Sequence, residues 1–293
     1  AENAAEPVVE VEDLHLHFPL SHDWRGRPKT VLKAVDGVSF AIRKGETFGL
    51  VGESGSGKST VARSILRAYA PTQGSVKFRD PEGEVHQMVG MAKDRLRTMR
   101  KHMQMVVQDP YSSLNARMTV EQIVGEPMVN QGETDRRKIV ERAAHLLEQV
   151  GLSPDMLSRY PHAFSGGQRQ RIGIARALVL NPSFVVLDES VSALDVSVAA
   201  QTIDLLKRLQ KELGLTYLFI THDLSMVANF ADRIGVMQTG KLVETGETDA
   251  FFANPKDPYS QRLLRAVPIP DPVRARALRA LRAEDTAPTP VQV

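Results

Sequence analysis

Apolar and polar positions along the chain repeat with two periods, and these periods predict a succession of strands and helices. Between residues 9 and 18 apolar and polar positions mostly alternate, which is typical of a half-exposed strand. The run 184–187 is fully apolar, which is typical of a strand buried in a parallel sheet. Together the patterns predict strands at 9–18, 35–42, 47–51, 75–78, 102–107, 184–187 and 217–220, helices at 58–69, 168–180 and 198–213, and a terminal hairpin at 236–244. Strands that alternate with helices indicate an α/β fold with a parallel sheet.

The segment from residue 109 to residue 164 has the period of a helix instead. Its apolar residues recur at spacings of three and four, at Ile139, Ala143, Leu146 and Val150. Gly151 stands where a C-terminal cap belongs, and Thr134 is predicted to cap the N-terminus of this helix. We interpret the segment as a helical subdomain inserted into a core made of residues 1–108 and 165–250.

Two other segments lack a clear period. Residues 21–30 are mainly polar, contain Trp24 and Pro28, and are predicted to form a loop. Beyond Pro268 the chain is rich in Arg, Ala and Pro. We therefore expect a loosely held tail within a C-terminal extension at 251–293.

Composition is that of an ordinary globular protein. The chain has 293 residues, of which 42% are hydrophobic and 25% charged, so collagen-like and disordered classes are excluded. Cysteine is absent, which excludes thiolate metal sites and disulfides. The 37 Lys and Arg residues against 35 Asp and Glu give a formal net charge of +2, so charge gives no reason to expect nucleic acid. Apolar runs are far shorter than the ~20 residues that span a bilayer, and residues 1–9 lack the pattern of a secretory signal.

A phosphate-binding loop is predicted between the strand at 47–51 and the helix that follows. Residues 52–59 match the pattern G-x-x-x-x-G-K-[ST], in which backbone N–H groups and the positive end of the helix converge on phosphate oxygens. Lys58 would reach the β and γ phosphates, and Ser59 would contact Mg²⁺. The alternative is a Gly-Ser turn with a solvated lysine, which the surrounding strand and helix disfavour.

Two carboxylates, Asp188 and Glu189, end the buried strand at 184–187. This places them at the carboxyl edge of the sheet, where ligands of open α/β folds bind. Adjacent side chains point in different directions, so Asp188 can hold Mg²⁺ while Glu189 orients the attacking water. Taken alone, a pair of helix N-cap residues is an equally good interpretation.

The tetrapeptide at 165–168, Ser-Gly-Gly-Gln, is by itself an ordinary helix start in which the serine caps the helix. Its position between a phosphate loop and an Asp-Glu strand makes the whole chain resemble the ATP-binding cassette (ABC) ATPases, the motor subunits of ABC transporters. In chain order the matching elements are the phosphate loop at 52–59, Gln108 after a strand, Ser165 to Gln168, Asp188-Glu189, a loop at 192–195 similar to the family's D-loop, and His222 after a strand. Six elements in the family's order are very specific.

The resemblance implies a P-loop ABC nucleotide-binding domain with an antiparallel β subdomain and the inserted helical subdomain. It implies ATP and Mg²⁺ as ligands. Catalytic roles fall on Lys58, Gln108, Glu189 and His222, and Mg²⁺ contacts on Ser59, Gln108 and Asp188. Nucleotide contacts fall on Phe18, Gly52, Ser54, Gly55, Ser56, Gly57, Lys58, Ser59 and Thr60, and on Ser165, Gly166, Gly167, Gln168 and Asp195, the tetrapeptide being supplied by a facing subunit. Phe18 would stack on adenine, with Trp24 as the competing candidate.

Several stretches are similar to the peptide and nickel importer branch of the family, namely 32–39, 108–115, 160–164 and 258–264. This similarity implies uptake of di- or oligopeptides or a related solute. The implied partners are transmembrane permease subunits, a second ATPase subunit and an extracytoplasmic solute-binding protein, with no nucleic acid, and the implied location is the cytoplasmic face of the cell membrane. Ser190 departs from the family, which usually has proline there. A ribosome- or DNA-associated ABC protein and one half of a tandem subunit remain alternatives.

The remaining candidate residues are given structural interpretations. His15 and His17 have a spacing on one strand that could bind metal, but no third ligand is near in sequence, so we interpret them as a solvated strand face. Five methionines are predicted to fill the core, at positions 88, 91, 99, 103 and 105. The basic residues between 93 and 101, and those of the tail, are interpreted as solvated.

Overall fold

Two sheets and the helices packed on them make up the described part of the chain. The computed structural model describes residues 6–22, 28–107, 114–190 and 195–266. The strands are β1 (Pro7–His22), β2 (Pro28–Arg43), β3 (Thr47–Val51), β4 (Gln73–Arg79), β5 (Val85–Gln87), β6 (Met103–Val106), β7 (Phe184–Asp188), β8 (Thr216–Ile220), β9 (Arg233–Gln238) and β10 (Lys241–Glu247). The helices are α1 (Lys58–Ile65), α2 (Lys93–Met99), α3 (Val120–Asn130), α4 (Arg136–Gln149), α5 (Gly166–Leu178), α6 (Val196–Leu213), α7 (Leu224–Phe230), α8 (Thr248–Ala253) and α9 (Pro258–Arg265), with short 3₁₀ turns at Pro154–Met156 and Pro161–Ala163.

The larger sheet has the strand order β10-β9-β3-β8-β7-β6 and is parallel except for β10, which pairs antiparallel with β9. Strands β3, β7 and β8 are buried at every position. Alternate residues of β7 and β8 enter two different apolar cores: Phe184, Val186, Leu218 and Ile220 lie on one face, and Val185, Leu187, Tyr217 and Phe219 on the other. This period of two explains why the sequence shows uninterrupted apolar runs there.

The smaller sheet is antiparallel, with the order β2-β1-β4-β5. Its apolar face shares one core with α1 and one face of the parallel sheet. Helices α3, α4 and α5 contribute to the core on the opposite face. The α/β class and the antiparallel sheet are therefore confirmed, and β3, β6, β7 and β8 lie within a residue of the predicted ranges. The hairpin predicted at 236–244 is formed by β9 and β10, but β9 begins three residues earlier, at Arg233, and pairs parallel with β3. The numbered boundaries of the core, the helical subdomain and the extension stay predictions.

The helical segment differs from its prediction at one cap. Asp135, and not Thr134, caps α4, because the Asp135 carboxylate accepts the backbone N–H groups of Arg137 at 2.9 Å and Lys138 at 3.4 Å. The prediction at Gly151 is confirmed, since this glycine follows α4 with a positive φ of 75°. Thr119 caps α3 through a reciprocal pair of hydrogen bonds with Gln122.

Other predictions were wrong in their extent. The loop at 21–30 is shorter than predicted, because β1 continues to His22 and β2 begins at Pro28. Helix α1 ends at Ile65, short of Tyr69, and Arg67 has a left-handed backbone with φ 55°. The tail beyond residue 266 lies outside the described residues. Within the described ranges, no helix combines the length and apolar character that crossing a membrane requires.

Candidate nucleotide-binding site

The phosphate loop connects β3 to α1 and depends on two glycines for its path. Gly52 and Gly57 have φ of 145° and 105°. A Cβ atom on Gly52 would lie 2.2 Å from the carbonyl oxygen of Met237, and one on Gly57 would lie 2.3 Å from that of Ala34. Both distances are far below contact distance, so only glycine fits. Gly55 also has a positive φ, of 79°, but open space around it.

The loop is held in place by neighbouring backbone. The carbonyl of Ser56 accepts the N–H of Gly240, in the β9–β10 hairpin, at 2.9 Å. Ser56 is buried, whereas Ser54 and Gly55 are exposed at the tip. Thr60 lies in the first turn of α1, where its carbonyl accepts the hydroxyl of Ser64. The tip of the loop is thus accessible to a ligand while its base is fixed.

Lys58 lies inside the loop with 4% of its surface exposed. Its Nζ donates to the carbonyl oxygens of Gly52 and Glu53, each at 2.8 Å. Burial lowers the pKa of Lys58, against the opposing effect of the nearby carboxylates of Glu189 and Asp188. The ammonium therefore lies where phosphate oxygens could take the place of the carbonyl acceptors.

Ser59 and Asp188 meet at the N-terminus of α1. The Ser59 hydroxyl donates to Oδ1 of Asp188 at 2.8 Å, although 129 residues separate them. Burial raises the pKa of Asp188, while the Ser59 hydrogen bond and the charge of Arg63 act in the opposite direction. The pair supplies hard oxygen donors of the kind that Mg²⁺ prefers, so these residues fit a magnesium ion.

Glu189 and His222 follow the ends of the neighbouring strands β7 and β8. Oε1 of Glu189 lies 3.5 Å from Nδ1 of His222. Glu189 has a left-handed backbone, with φ 47°, and its N–H donates to the carbonyl of Ile220 at 2.9 Å. A non-glycine residue in this region costs ~1–2 kcal/mol, and such strain is concentrated at functional sites. The structure thus brings a carboxylate and an imidazole together at the sheet edge that carries Asp188.

The tetrapeptide Ser165 to Gln168 begins α5, as the sequence predicts. The side chains and backbone N–H groups of Ser165 and Gln168 bond reciprocally, at 3.0 and 3.4 Å. Gly166 and Gly167 form the first turn, and a Cβ atom on Gly167 would lie 2.6 Å from Val198. Within the described part of the chain, no hydrogen bond or ion pair joins this tetrapeptide to the phosphate loop. Asp195 is exposed at the start of α6.

An aromatic pair flanks α1 on the side of the antiparallel sheet. Phe18, on β1, is half-buried and meets Tyr69 edge to face, with ring centroids 5.8 Å apart. The guanidinium of Arg63 lies 5.9 Å from the Tyr69 ring centroid. Tyr69 was not predicted as a site residue, because only its contact with Phe18 in the folded chain connects it with the site. The other predicted residues, Trp24 and Gln108 and the loop residues 192–194, lie outside the described residues.

The C-terminal part of the described chain contacts the phosphate loop directly. The hydroxyl of Tyr259, on α9, accepts the N–H of Glu53 at 3.1 Å. Glu244 fixes the start of α9 by accepting the N–H groups of Lys256 at 2.8 Å and Asp257 at 3.0 Å. Sequence reasoning missed this contact, because 206 residues separate its partners.

A wide groove of about 700 Å³ lies beside the helical segment. Residues of β6, α3 and α5 line it, among them Met103, Gln104, Pro127, Gln170, Gly173 and Arg176. Gln170 is only 1% exposed, and its Nε2 has no hydrogen-bond partner among the described residues. Most of the residues that line the groove are apolar, among them Met105, Ala177 and Leu180.

Comparison with known proteins gives two family matches. The model for "ABC transporter" matches residues 35–192, and that for "Oligopeptide/dipeptide transporter, C-terminal region" matches residues 243–291. The putative oligopeptide transport ATP-binding protein YkfD of Bacillus subtilis is 53% identical over 287 residues, covering 97% of this chain and 84% of the relative. The oligopeptide transport ATP-binding protein OppF of Escherichia coli is 45% identical over 287 residues, with the same coverage of 97% and 84%.

Solved structures give a consistent result. The ATP-binding cassette MJ0796, solved as a dimer in a post-hydrolysis state with ADP and Pi, matches with a TM-score of 0.69 and 26% identity, covering 82% of this chain and 98% of its own. CbiO1 of Clostridium perfringens, part of the ABC transporter complex cbiONQ, matches with a TM-score of 0.71 and 25% identity, covering 96% of this chain and 99% of its own.

Proposed function

This chain belongs to the ABC transporter family, as an ATP-binding subunit, and from that premise we propose that it hydrolyses ATP to power uptake of oligopeptides through separate membrane-spanning subunits. The observation that carries the proposal is the meeting, at one edge of the parallel sheet, of the Lys58 loop, the Ser59–Asp188 pair and the Glu189–His222 pair. The similarity to oligopeptide transport ATP-binding proteins supports a peptide as the solute.

The phosphate loop holds the triphosphate of ATP in this proposal. Gly52, Ser54, Gly55, Ser56 and Gly57 direct backbone N–H groups at the phosphates, and Thr60 does so from the first turn of α1. Lys58 exchanges its two carbonyl acceptors for phosphate oxygens. Ser59 and Asp188 hold Mg²⁺, together with Gln108. When bound, Mg²⁺ neutralises charge on the phosphate oxygens.

Hydrolysis depends on Glu189 and His222. The Glu189 carboxylate accepts a proton from the attacking water, and its strained backbone fixes the direction of that carboxylate. His222 lies 3.5 Å away and contacts the γ-phosphate. Phe18, beside Tyr69, offers a ring face to adenine.

A second ATPase subunit, identical or paralogous, completes each nucleotide site in this proposal. Ser165 to Gln168 and Asp195 of one subunit contact the nucleotide held by the phosphate loop of the other. The support is that the tetrapeptide has an accessible helix N-terminus and no contact with its own phosphate loop among the bonds of the described residues. The similar cassette MJ0796 was solved as a dimer.

The groove beside α3 and α5 receives a helix of the permease subunit. Mainly apolar residues line the groove, with polar residues such as Gln104 and Arg176 among them, which suits an amphipathic helix. The chain would accordingly lie at the cytoplasmic face of the cell membrane, and a solute-binding protein on the other side would deliver the peptide.

Filling the groove tests this docking site. An added Cβ on Gly173, in the groove, meets nothing within 4 Å, and the same holds for Gly246 on β10. Gly173→Trp should therefore keep ATP affinity but no longer co-purify with membrane subunits when the tagged chain is isolated in detergent. Gly246→Trp, the matched control, should retain them. Equal recovery of membrane subunits with both variants would contradict the assignment of the groove.

The catalytic assignment is tested by Glu189→Gln. This variant keeps the size of the side chain and loses the base, so it should bind ATP with nearly unchanged affinity and hydrolyse it ~10²–10⁴-fold more slowly. With saturating ATP it should sediment as a dimer, if the facing subunit is identical. Glu212→Gln, on the exposed face of α6, is the control and should behave as the parent protein. Parent-rate hydrolysis by Glu189→Gln would show that Glu189 is not the base.

A further inference from the structure

Two histidines of β1 and one aspartate of β2 converge on the face of the antiparallel sheet. Nδ1 of His15 lies 3.3 Å from Oδ1 of Asp36, and Nε2 of His17 lies 3.4 Å from the same oxygen. One ligand atom from each of the three residues lies within 4.8 Å of one ligand atom from each of the others. The histidine side chains are 17% and 26% exposed, so they are more enclosed than the sequence-based interpretation of a solvated strand face implies. The third ligand, far away in sequence, is placed opposite His15 by the pairing of β1 with β2.

The two histidine nitrogens that face Asp36 are left without hydrogen bonds. Neither Nδ1 of His15 nor Nε2 of His17 has a partner of hydrogen-bond geometry among the described residues, although both atoms are buried. The other ring nitrogen of His15, Nε2, lies 3.0 Å from Oδ1 of Asp13. A proton on Nε2 serves that bond and leaves a lone pair on Nδ1. A carboxylate that orients a ligand histidine in this way is usual around protein-bound metals.

The distances from the two histidine nitrogens to Asp36 are those expected between ligands of one metal ion. Ligand atoms around a tetrahedral zinc ion with bonds of ~2.0–2.1 Å lie ~3.3–3.4 Å apart, and the two distances to Asp36 are 3.3 and 3.4 Å. Two imidazoles and one carboxylate suit Zn²⁺ and similar divalent transition metals, whereas Mg²⁺ and Ca²⁺ prefer oxygen alone.

We propose that His15, His17 and Asp36 bind a divalent transition-metal ion such as Zn²⁺, with Asp13 orienting His15. Two lysines, Lys33 and Lys241, lie 3.5 and 3.9 Å from the other carboxylate oxygen of Asp36. Both are more than half exposed, so their long side chains can turn toward solvent when a cation binds. None of its residues is among the proposed Mg²⁺ ligands.

Two consecutive backbone hydrogen bonds connect the site to the phosphate loop. The N–H of Asp36 donates to the carbonyl of Gly240 at 2.8 Å, and the N–H of Gly240 donates to that of Ser56 at 2.9 Å. His17 directly precedes Phe18 on β1. A bound ion would therefore fix the strand that offers a ring to adenine and the turn that supports the phosphate loop.

A second cluster, Asp80, Glu84 and His86, shows by contrast what a purely structural arrangement looks like. His86 Nε2 lies 2.7 Å from Asp80, and its Nδ1 lies 3.1 Å from the guanidinium of Arg95. Both ring nitrogens thus have protein partners, and the lone pair that a metal needs is already used. This cluster carries no metal proposal.

Zinc titration of the nucleotide-free full chain, purified in chelator and then dialysed, tests the site. We expect one Zn²⁺ per chain by isothermal titration calorimetry, and a tetrahedral absorption spectrum when Co²⁺ is used instead. His15→Ala, His17→Ala and Asp36→Asn should each weaken zinc binding at least ~10-fold, and Asp13→Asn should weaken it ~10–100-fold. His145→Ala, at an exposed position on α4, is the matched control and should leave binding unchanged.

Thermal melts in the presence of chelator identify variants that fail to fold. The Asp36→Asn variant is the decisive one, because it keeps the size of the side chain. The proposal is overturned if the parent chain does not bind Zn²⁺. Zinc binding of parent affinity in the triple variant His15→Ala/His17→Ala/Asp36→Asn would overturn it equally, because the ion would then bind elsewhere.

Discussion

Removing the hydroxyl of Tyr259 should lower the stability of the folded chain and the affinity of the phosphate loop for ATP. That hydroxyl accepts the N–H of Glu53 at 3.1 Å, and the Tyr259 side chain is buried, with 5% of its surface exposed. A buried N–H left without a partner costs ~1–3 kcal/mol, and because this contact is only partly buried we expect about 1–2 kcal/mol for Tyr259→Phe.

Two measurements follow from that magnitude. The melting temperature should fall by ~2–8 °C, since 1 kcal/mol corresponds to ~2–4 °C in domains of this size class. Because Glu53 belongs to the phosphate loop, part of the cost should appear in ATP binding. A share of 1 kcal/mol would raise the Kd for ATP about fivefold, as measured by calorimetry.

Tyr217→Phe is the matched control. The Tyr217 hydroxyl donates to the carbonyl of Leu206 at 3.1 Å within the core, so its loss should lower the melting temperature without changing ATP affinity. The reasoning is refuted if both variants change ATP affinity equally, or if Tyr259→Phe binds ATP as the parent does.

Two further predictions concern backbone sterics and buried charge. Gly57→Ala should be more destabilising than Gly55→Ala in chemical denaturation, by ~1–3 kcal/mol, because both glycines have positive φ but only Gly57 would place a Cβ against Ala34; equal losses would contradict this. For Glu46, burial raises the pKa above 4.5, more than the Arg43 N–H and the Arg233 charge lower it. The folded state then binds more protons than the unfolded state between these pKa values, so stability falls as pH rises from 4.5 through the raised pKa. The unfolding free energy of Glu46→Gln relative to the parent should therefore rise over that window, and a flat or falling difference would be the wrong outcome.

The parallel sheet and the phosphate loop could be predicted because their causes are local. A strand buried on both faces must be apolar throughout, which is why the pattern at 184–187 and 217–220 located β7 and β8. The loop needs glycine where backbone passes backbone, and Gly52 and Gly57 show this in the sequence itself. The tetrapeptide at 165–168 could be placed on a helix N-terminus for the same reason.

Contacts that depend on tertiary pairing were not predictable in the same way. The Tyr259–Glu53 hydrogen bond joins residues 206 positions apart. Asp36 reaches His15 and His17 only through the β1–β2 register, and that register shifts between Leu14 and His15 and between Leu16 and His17, so counting along the strands would not give the pairing. The cap of α4 was misplaced by one residue because Thr134 and Asp135 are both good caps. Only their three-dimensional neighbours decide between them.

The most direct test of the central claim is ATP-driven peptide uptake by the intact complex. The complex would be isolated through a tag on this chain and reconstituted in liposomes with the proposed solute-binding protein. A labelled oligopeptide would be supplied on the side where that protein binds. We predict accumulation of the peptide that requires ATP on the opposite side and is lost with Glu189→Gln but not with Glu212→Gln. Peptide accumulation that continues undiminished with Glu189→Gln, or ATP hydrolysis by the parent complex without any accumulation, would contradict the account.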